Sequence, residues 1–199
     1  MHVSEIGAPH LVDPARLEAS ARRLYGDTFD VLWGELAPVP AENVHGVGSE
    51  VVGLECFPTP GHASHHVSYL GSDGTLYAGD AAGVRLQPAQ TVLPPTPPPD
   101  FDLGTWQETL AEIERRSPSR LALVHFGLAG DVPRHLGELR ERLSQWVDRV
   151  AAGMSDEEFS AAAHADVAAE DESEAAAYER AMPFWQSYAG LKRFLERNG

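Results

Sequence analysis

Residues 93–100 read LPPTPPPD, five prolines in eight positions. Each proline fixes φ near −65° and removes a backbone donor, so this stretch can be neither helix nor central strand. It divides the chain into two textures. Ahead of it lie short β-rich segments separated by Gly, Pro, Ser and Asp. Behind it apolar residues recur at helical spacing. The fold must therefore place a β-meander before a rigid connection and mostly helices after it. The segment itself is expected to run over the surface beside a cleft and to wall a substrate site; the alternative is a plain spacer.

VVGLECF (51–57), HVSYL (66–70) and TLYAG (75–79) read as three strands, and SDG (72–74) as a hairpin turn. Asp13-Pro14 caps a helix with Leu17, Ala21, Leu24 and Tyr25 on one stripe, stopping at Gly26. Leu103, Trp106, Leu110 and Ile113 form a second helical stripe, and LALVHFG (121–127) a buried strand. His135 to Val150 is helical, with Leu136, Leu139 and Leu143 on one face. SDEEF (155–159) starts an Ala- and Glu-rich helical tail, in which residues 161–177 form a soluble helix and Pro183 ends or kinks the helix before it. The aromatic content of 184–197 requires that the final helix pack on the body or on a second subunit. The expected organisation is a domain over 1–150 and a helical extension over 151–199.

Several function classes are disfavoured. The formal net charge of −15 repels phosphate backbones, and Arg22-Arg23 and Arg115-Arg116 read as solvated helix faces, so no nucleic acid is expected as partner. No run of about 18 apolar residues exists, so no membrane span is expected. The start, MHVSEIGAPHLVDP, has no signal-peptide pattern, and the single cysteine, Cys56, suits a reducing compartment; the expected location is cytoplasmic.

Three polar residues end β-like segments: His62 in the Pro-Gly-His turn, Asp80 after LYAG, and His125 after LALV. Strand ends let a rigid sheet aim side chains into a shared cleft. Two imidazoles and a carboxylate suit a borderline-soft divalent metal. Each also has an ordinary reading: a hydrogen-bonded surface histidine, a turn-capping aspartate, a satisfied core histidine.

In order, TPGHASHHVSYL (59–70), LYAGDAAG (76–83) and LVHFG (123–127) resemble the second half of the metallo-β-lactamase-fold hydrolases, over about residues 1–150. The resemblance implies an α+β fold, an αββα sandwich. It maps His62, Asp80 and His125 to the metal, with Asp80 bridging two metals, His62 on the first and His125 on the second. His66 matches a second histidine of TPGH-x-x-x-H versions and is expected to orient the loop; His65 is expected to be structural. The family's His-x-His-x-Asp-His motif is absent, and the chain holds no His-x-His at all. The chain thus resembles only the C-terminal two-thirds of a family member, an incomplete sandwich whose open sheet face invites a homodimer or another partner.

The implied function is a zinc-dependent hydrolase that activates water for attack on a small-molecule ester, thioester, lactam or similar acyl compound. Without the missing motif, at most one weakly held zinc and low activity are expected. If two zinc ions were held tightly, His10 or His45 would be the first stand-ins. The alternative function is a non-catalytic remnant acting as a binding or oligomerisation module. A third reading, an α/β domain in which TPGH is only a turn, is opposed by the order of the three motifs.

Overall fold

Two units make up the computed structural model, Met1–Val52 and Gly53–Gly199, in which every residue except Ser49, Pro98, Phe126 and Asp171 is described. In the first unit, strand β1 (His2–Val3) pairs in parallel with β2 (His45–Gly46). Helices α1 (Ala8–Val12), α2 (Ala15–Tyr25) and α3 (Phe29–Leu32) lie between them in the chain, and β3 (Glu50–Val51) closes the unit. Helix α2 stops at Gly26, as its sequence predicts. Phe29 is the buried anchor, with the Arg22 guanidinium 4.3 Å over its ring.

The run VVGLECF does not form one strand. Val52 and Gly53 both take positive φ, 53° and 78°, and turn the chain, so strand β4 covers only Leu54–Pro58. Strands β5 (Val67–Leu70) and β6 (Thr75–Gly79) follow the sequence expectation and complete an antiparallel meander. Helix α4 (Leu103–Arg116) then carries the chain across, so that β7 (Arg120–Leu123) joins β6 in parallel. A short β8 (Leu128–Ala129) turns back on β7. The buried strand expected over 121–127 therefore ends at Leu123; His125 sits in the turn that follows, and Phe126 of that motif lies outside the described residues.

One face of β6 and β7 packs Leu76, Ala78, Leu121 and Leu123 against the helices. Helix α4 presents Trp106, Leu110 and Ile113, and α5 (Val132–Ala151) presents Leu136, Leu139, Leu143 and Trp146, all fully buried. Each such side chain contributes roughly 1.5–3 kcal/mol on burial, which makes these two stripes the main support of the sheet. Along the other face, Cys56, Tyr69, Tyr77, Ala122 and Leu128 are direct register partners from β4 to β8 and so point the same way.

The tail belongs to this same unit. Residues 161–177 are not one soluble helix: α6 (Asp156–Ala168) and α7 (Ala175–Ala181) are separate, and Ala163, Val167 and Ala175 are fully buried. The small alanines allow close helix approach, which a solvent-facing reading of Ala-rich sequence overlooks. Pro183 separates α7 from α8 (Phe184–Asn198), and Phe184 and Leu191 of α8 join the core as expected.

The proline segment departs from expectation in a useful way. Leu93 and Thr96 are fully buried and Pro94 and Pro95 are buried with them, so this half of the segment lies in the interior rather than over the surface, whereas Pro99 is exposed; the segment does lie beside the candidate site, as expected, through Pro95. Proline has no N–H, so burying it leaves no donor unmatched. Leu93 exchanges both backbone hydrogen bonds with Val84, at 2.8 and 2.9 Å. Tyr178 donates its hydroxyl to the Thr91 carbonyl at 2.6 Å, and Thr96 donates to the Ser187 carbonyl of α8 at 3.1 Å. Pro98, in the same segment, lies outside the described residues.

Candidate functional site

The Thr59–His62 turn is fixed from three sides. Thr109 of α4 donates to the Pro60 carbonyl at 2.6 Å, and the Asp102 N–H donates to the Gly61 carbonyl at 2.9 Å. Gly61 has φ 120°, and any Cβ there would strike the backbone of Trp106, so this position requires glycine. His62 Nδ1 lies 2.8 Å from the Pro95 carbonyl oxygen. A carbonyl only accepts, so Nδ1 carries a proton and Nε2 is the ring nitrogen left to face the rest of the site.

That nitrogen faces Asp80, with Nε2 3.6 Å from Oδ2. The other carboxylate oxygen, Oδ1, is 3.1 Å from His125 Nε2. The side chains of His62, Asp80 and His125 are 14%, 27% and 27% exposed, so they line an accessible recess rather than a sealed core. The three residues singled out from sequence therefore do come together, as two imidazole–carboxylate pairs sharing Asp80. Among the described residues, no set of three His, Cys, Asp or Glu side chains is grouped around one point so as to hold a metal ion.

His66 ties the two halves of the site together. Its Nδ1 is 2.7 Å from Thr59 Oγ1, and its Nε2 accepts from the Asp80 N–H at 3.2 Å. Thr59 continues to Ser68 Oγ at 2.8 Å, and Ser68 donates to the Ala78 carbonyl at 3.2 Å. Burial first, then the neighbouring His62, pushes the His66 pKa down to about 4, so the ring stays neutral and can accept. Burial alone would raise the Asp80 carboxyl; the hydrogen bond from His125 and the charges of His62 and His125 outweigh it and lower its pKa. Asp80 thus offers two anionic oxygens near neutral pH. His65 is exposed, and its charge adds a little to the depression of the His66 pKa.

The donor types suit a cation, although they do not form a three-ligand cluster. His62 Nε2 and Asp80 Oδ2 face each other at 3.6 Å, a pairing that attracts either a proton or a metal ion. Imidazole and carboxylate are the ordinary partners of zinc. Of the other histidines, His2 and His45 lie with ring centroids 5.5 Å apart within the first unit, and His135 is fully buried in α5.

Three supports carry no site signal in the sequence. Pro95 sits in a segment that reads as surface or spacer. Trp106 and His135 sit on helical stripes that read as core. His135 stands out there only as a titratable residue at the head of the Leu136, Leu139 and Leu143 stripe.

Comparison with known proteins agrees with this architecture. The metallo-beta-lactamase superfamily model matches residues 5–127, a span that includes His62, Asp80 and His125. The chain belongs to the metallo-beta-lactamase superfamily. It is 32% identical over 137 residues to a metallo-beta-lactamase fold-containing protein of Sulfurisphaera tokodaii, covering 65% of this chain and 50% of that relative. The chain thus spans about half the length of the curated relative it matches. The crystal structure of the archaeal superfamily protein from Sulfolobus tokodaii superposes with a TM-score of 0.60 at 28% identity, over 73% of this chain and 57% of that one. A metallo-beta-lactamase family protein from Thermus thermophilus superposes over 100% of this chain and 67% of its own, with a TM-score of 0.65 at 17% identity, a likeness of fold. The mixed α+β architecture is that of the superfamily. No helix among the described residues is long and apolar enough to cross a membrane.

Proposed function

We propose that this chain carries a zinc site of hydrolytic type built on Asp80, with His62 on one carboxylate oxygen and His125 on the other. The observation that carries the reading is that pairing itself: Nε2 of His62 at 3.6 Å from Oδ2 and Nε2 of His125 at 3.1 Å from Oδ1. It supports Asp80 as the carboxylate that would hold zinc together with His62 or His125. Bound zinc would supply a Lewis acid that polarises a carbonyl and acidifies water.

The chain's own residues do the rest. The Pro95 carbonyl holds the His62 tautomer, His66 holds the Asp80 main chain, and the depressed Asp80 pKa keeps the carboxylate ionised. A zinc ion held beside either oxygen of Asp80 would have one imidazole and one carboxylate from this chain, fewer donors than the three protein ligands usual for catalytic zinc. The reading therefore expects at most one weakly held zinc per chain. The substrate class is a small ester, thioester, lactam or similar acyl compound, and activity of this chain alone is low. Zinc analysis after dialysis, combined with turnover of 4-nitrophenyl acetate and a chromogenic lactam, tests it. Zinc-dependent turnover lost in Asp80→Asn supports the reading; turnover indifferent to zinc and to Asp80 sinks it.

A second reading, an oligomerisation module that pairs with a second copy, is favoured by the register row from Cys56 to Leu128. Tyr77 and Leu128 in that row are 49% and 58% exposed. On a chain of net charge −15, an uncharged row of side chains is where two copies repel least. A dimer in sedimentation that Leu128→Glu converts to monomer supports it; a wild-type monomer at tens of micromolar excludes it.

A further inference from the structure

Asp80 begins a single 3-10 turn, Asp80–Ala82, with no long element behind it. A turn this short leaves its own polar groups mostly unpaired. Here each of the three residues is held by a side chain from a different part of the unit. The Asp80 N–H donates to His66 Nε2 at 3.2 Å. The Ala81 carbonyl accepts from Trp106 Nε1 of α4 at 2.8 Å. The Ala82 carbonyl accepts from His135 Nε2 of α5 at 2.7 Å.

His135 is the unexpected member. It is fully buried beside Leu136 and Leu139, where an apolar residue would pack at lower cost. Its Nδ1 has no hydrogen-bond partner among the described residues, so the bond to Ala82 is the only polar pairing of the ring that the structure records. Burial of a half-satisfied imidazole is destabilising, and the bond to Ala82 is what it secures. Trp106 serves twice: its indole N–H holds Ala81, and its ring meets that of His62 edge-on at 5.7 Å between centroids.

We infer that His135 and Trp106 are positioning residues of the candidate site: they fix the Asp80–Ala82 turn from beneath and thereby set where the Asp80 carboxylate stands relative to His62 and His125. The inference rests on the zinc reading above only for its consequence on metal affinity. Its structural core concerns the turn itself.

The test uses the full chain with His135→Leu, His135→Gln and Trp106→Phe. The first readout is amide hydrogen exchange, which needs no metal. Opening of the turn should speed exchange at Asp80 and Gly83 about tenfold in His135→Leu, with amides of α5 and β6 unchanged. His135→Gln keeps a donor and should restore most of the protection. The second readout is zinc affinity by chelator competition, expected to fall about 10- to 100-fold in His135→Leu and to recover in His135→Gln. If His135→Leu does not fold, Trp106→Phe, which keeps a ring and loses the donor to Ala81, carries the same two readouts. Unchanged exchange at Asp80 and Gly83 in the folded variants overturns the inference, as does an equal loss of protection throughout α5. Turn amides that respond in a chain that binds no zinc would uphold the positioning role and refute the metal reading alone.

Discussion

The main-chain N–H of Asp80 donates to Nε2 of His66 at 3.2 Å, so the residue that offers the carboxylate is anchored by the fourth residue after His62. The same imidazole reaches back to Thr59 at 2.7 Å, at the start of the turn that carries His62. Removing it frees both sides of the recess. His66→Ala should cost about 1–3 kcal/mol of stability, the penalty of an unsatisfied buried donor, and weaken zinc binding. His65→Ala should leave zinc binding near wild type. Denaturant melts and chelator competition on both variants check this; equal effects on zinc binding from the two would contradict it.

The buried histidines also predict a pH dependence. The His66 pKa falls from 6.5 to about 4 on folding, through burial first, and that of His135 also falls through burial. A depressed folded value means the unfolded chain binds the proton more readily. Stability from these groups is therefore complete above pH 6.5 and is lost as pH drops toward 4. For His66 the interval corresponds to on the order of 3 kcal/mol. Urea melts between about pH 7.5 and 4.5 should show stability falling with pH, and the fall should be smaller in His66→Gln. A flat profile, or the same slope in that variant, would count against it.

Gly190 of α8 lies against the buried proline segment, where an added Cβ would land on the Thr96 carbonyl oxygen. Backbone cannot yield there as a flexible side chain could. Gly190→Ala should therefore destabilise by about 1–3 kcal/mol, a drop in Tm on the order of 5 °C for a chain of this size. Gly137 of α5 has open space around its Cβ position, and Gly137→Ala should raise or leave Tm unchanged through helix propensity. Calorimetry on the pair is the check, and equal shifts would show that α8 does not pack on this segment.

The parts of the site that are legible in the sequence share a local signature. His62, Asp80 and His125 each stand at a turn bordering a short β-like run, with glycine close by, which singles them out, and the order of their motifs, through the family resemblance, joins them in one site. Their supports have no such mark. Pro95 contributes a carbonyl, which any residue could supply, and it contacts a residue 33 positions away. His135 lies 53 positions from Ala82 on a leucine stripe, where helical spacing reports only burial. The proline segment escapes a sequence reading for a related reason. Proline excludes regular structure, but it equally lacks the donor that makes irregular backbone costly to bury, and the second property decides its place here. The Ala-rich tail shows the same limit: composition without an apolar stripe hides the close packing of α6 and α7 on the core.

The central claim is that the Asp80 carboxylate is the shared anionic member of a zinc site. Asp80→Asn keeps the side-chain shape and removes the charge, while His62 and His125 remain. Zinc content after dialysis at neutral pH, measured for wild type and Asp80→Asn with circular dichroism to verify folding, addresses the claim most directly. The account predicts up to one weakly held zinc per wild-type chain and none in the variant. A folded Asp80→Asn chain that retains wild-type zinc, or a wild-type chain that holds two zinc ions tightly, would contradict it.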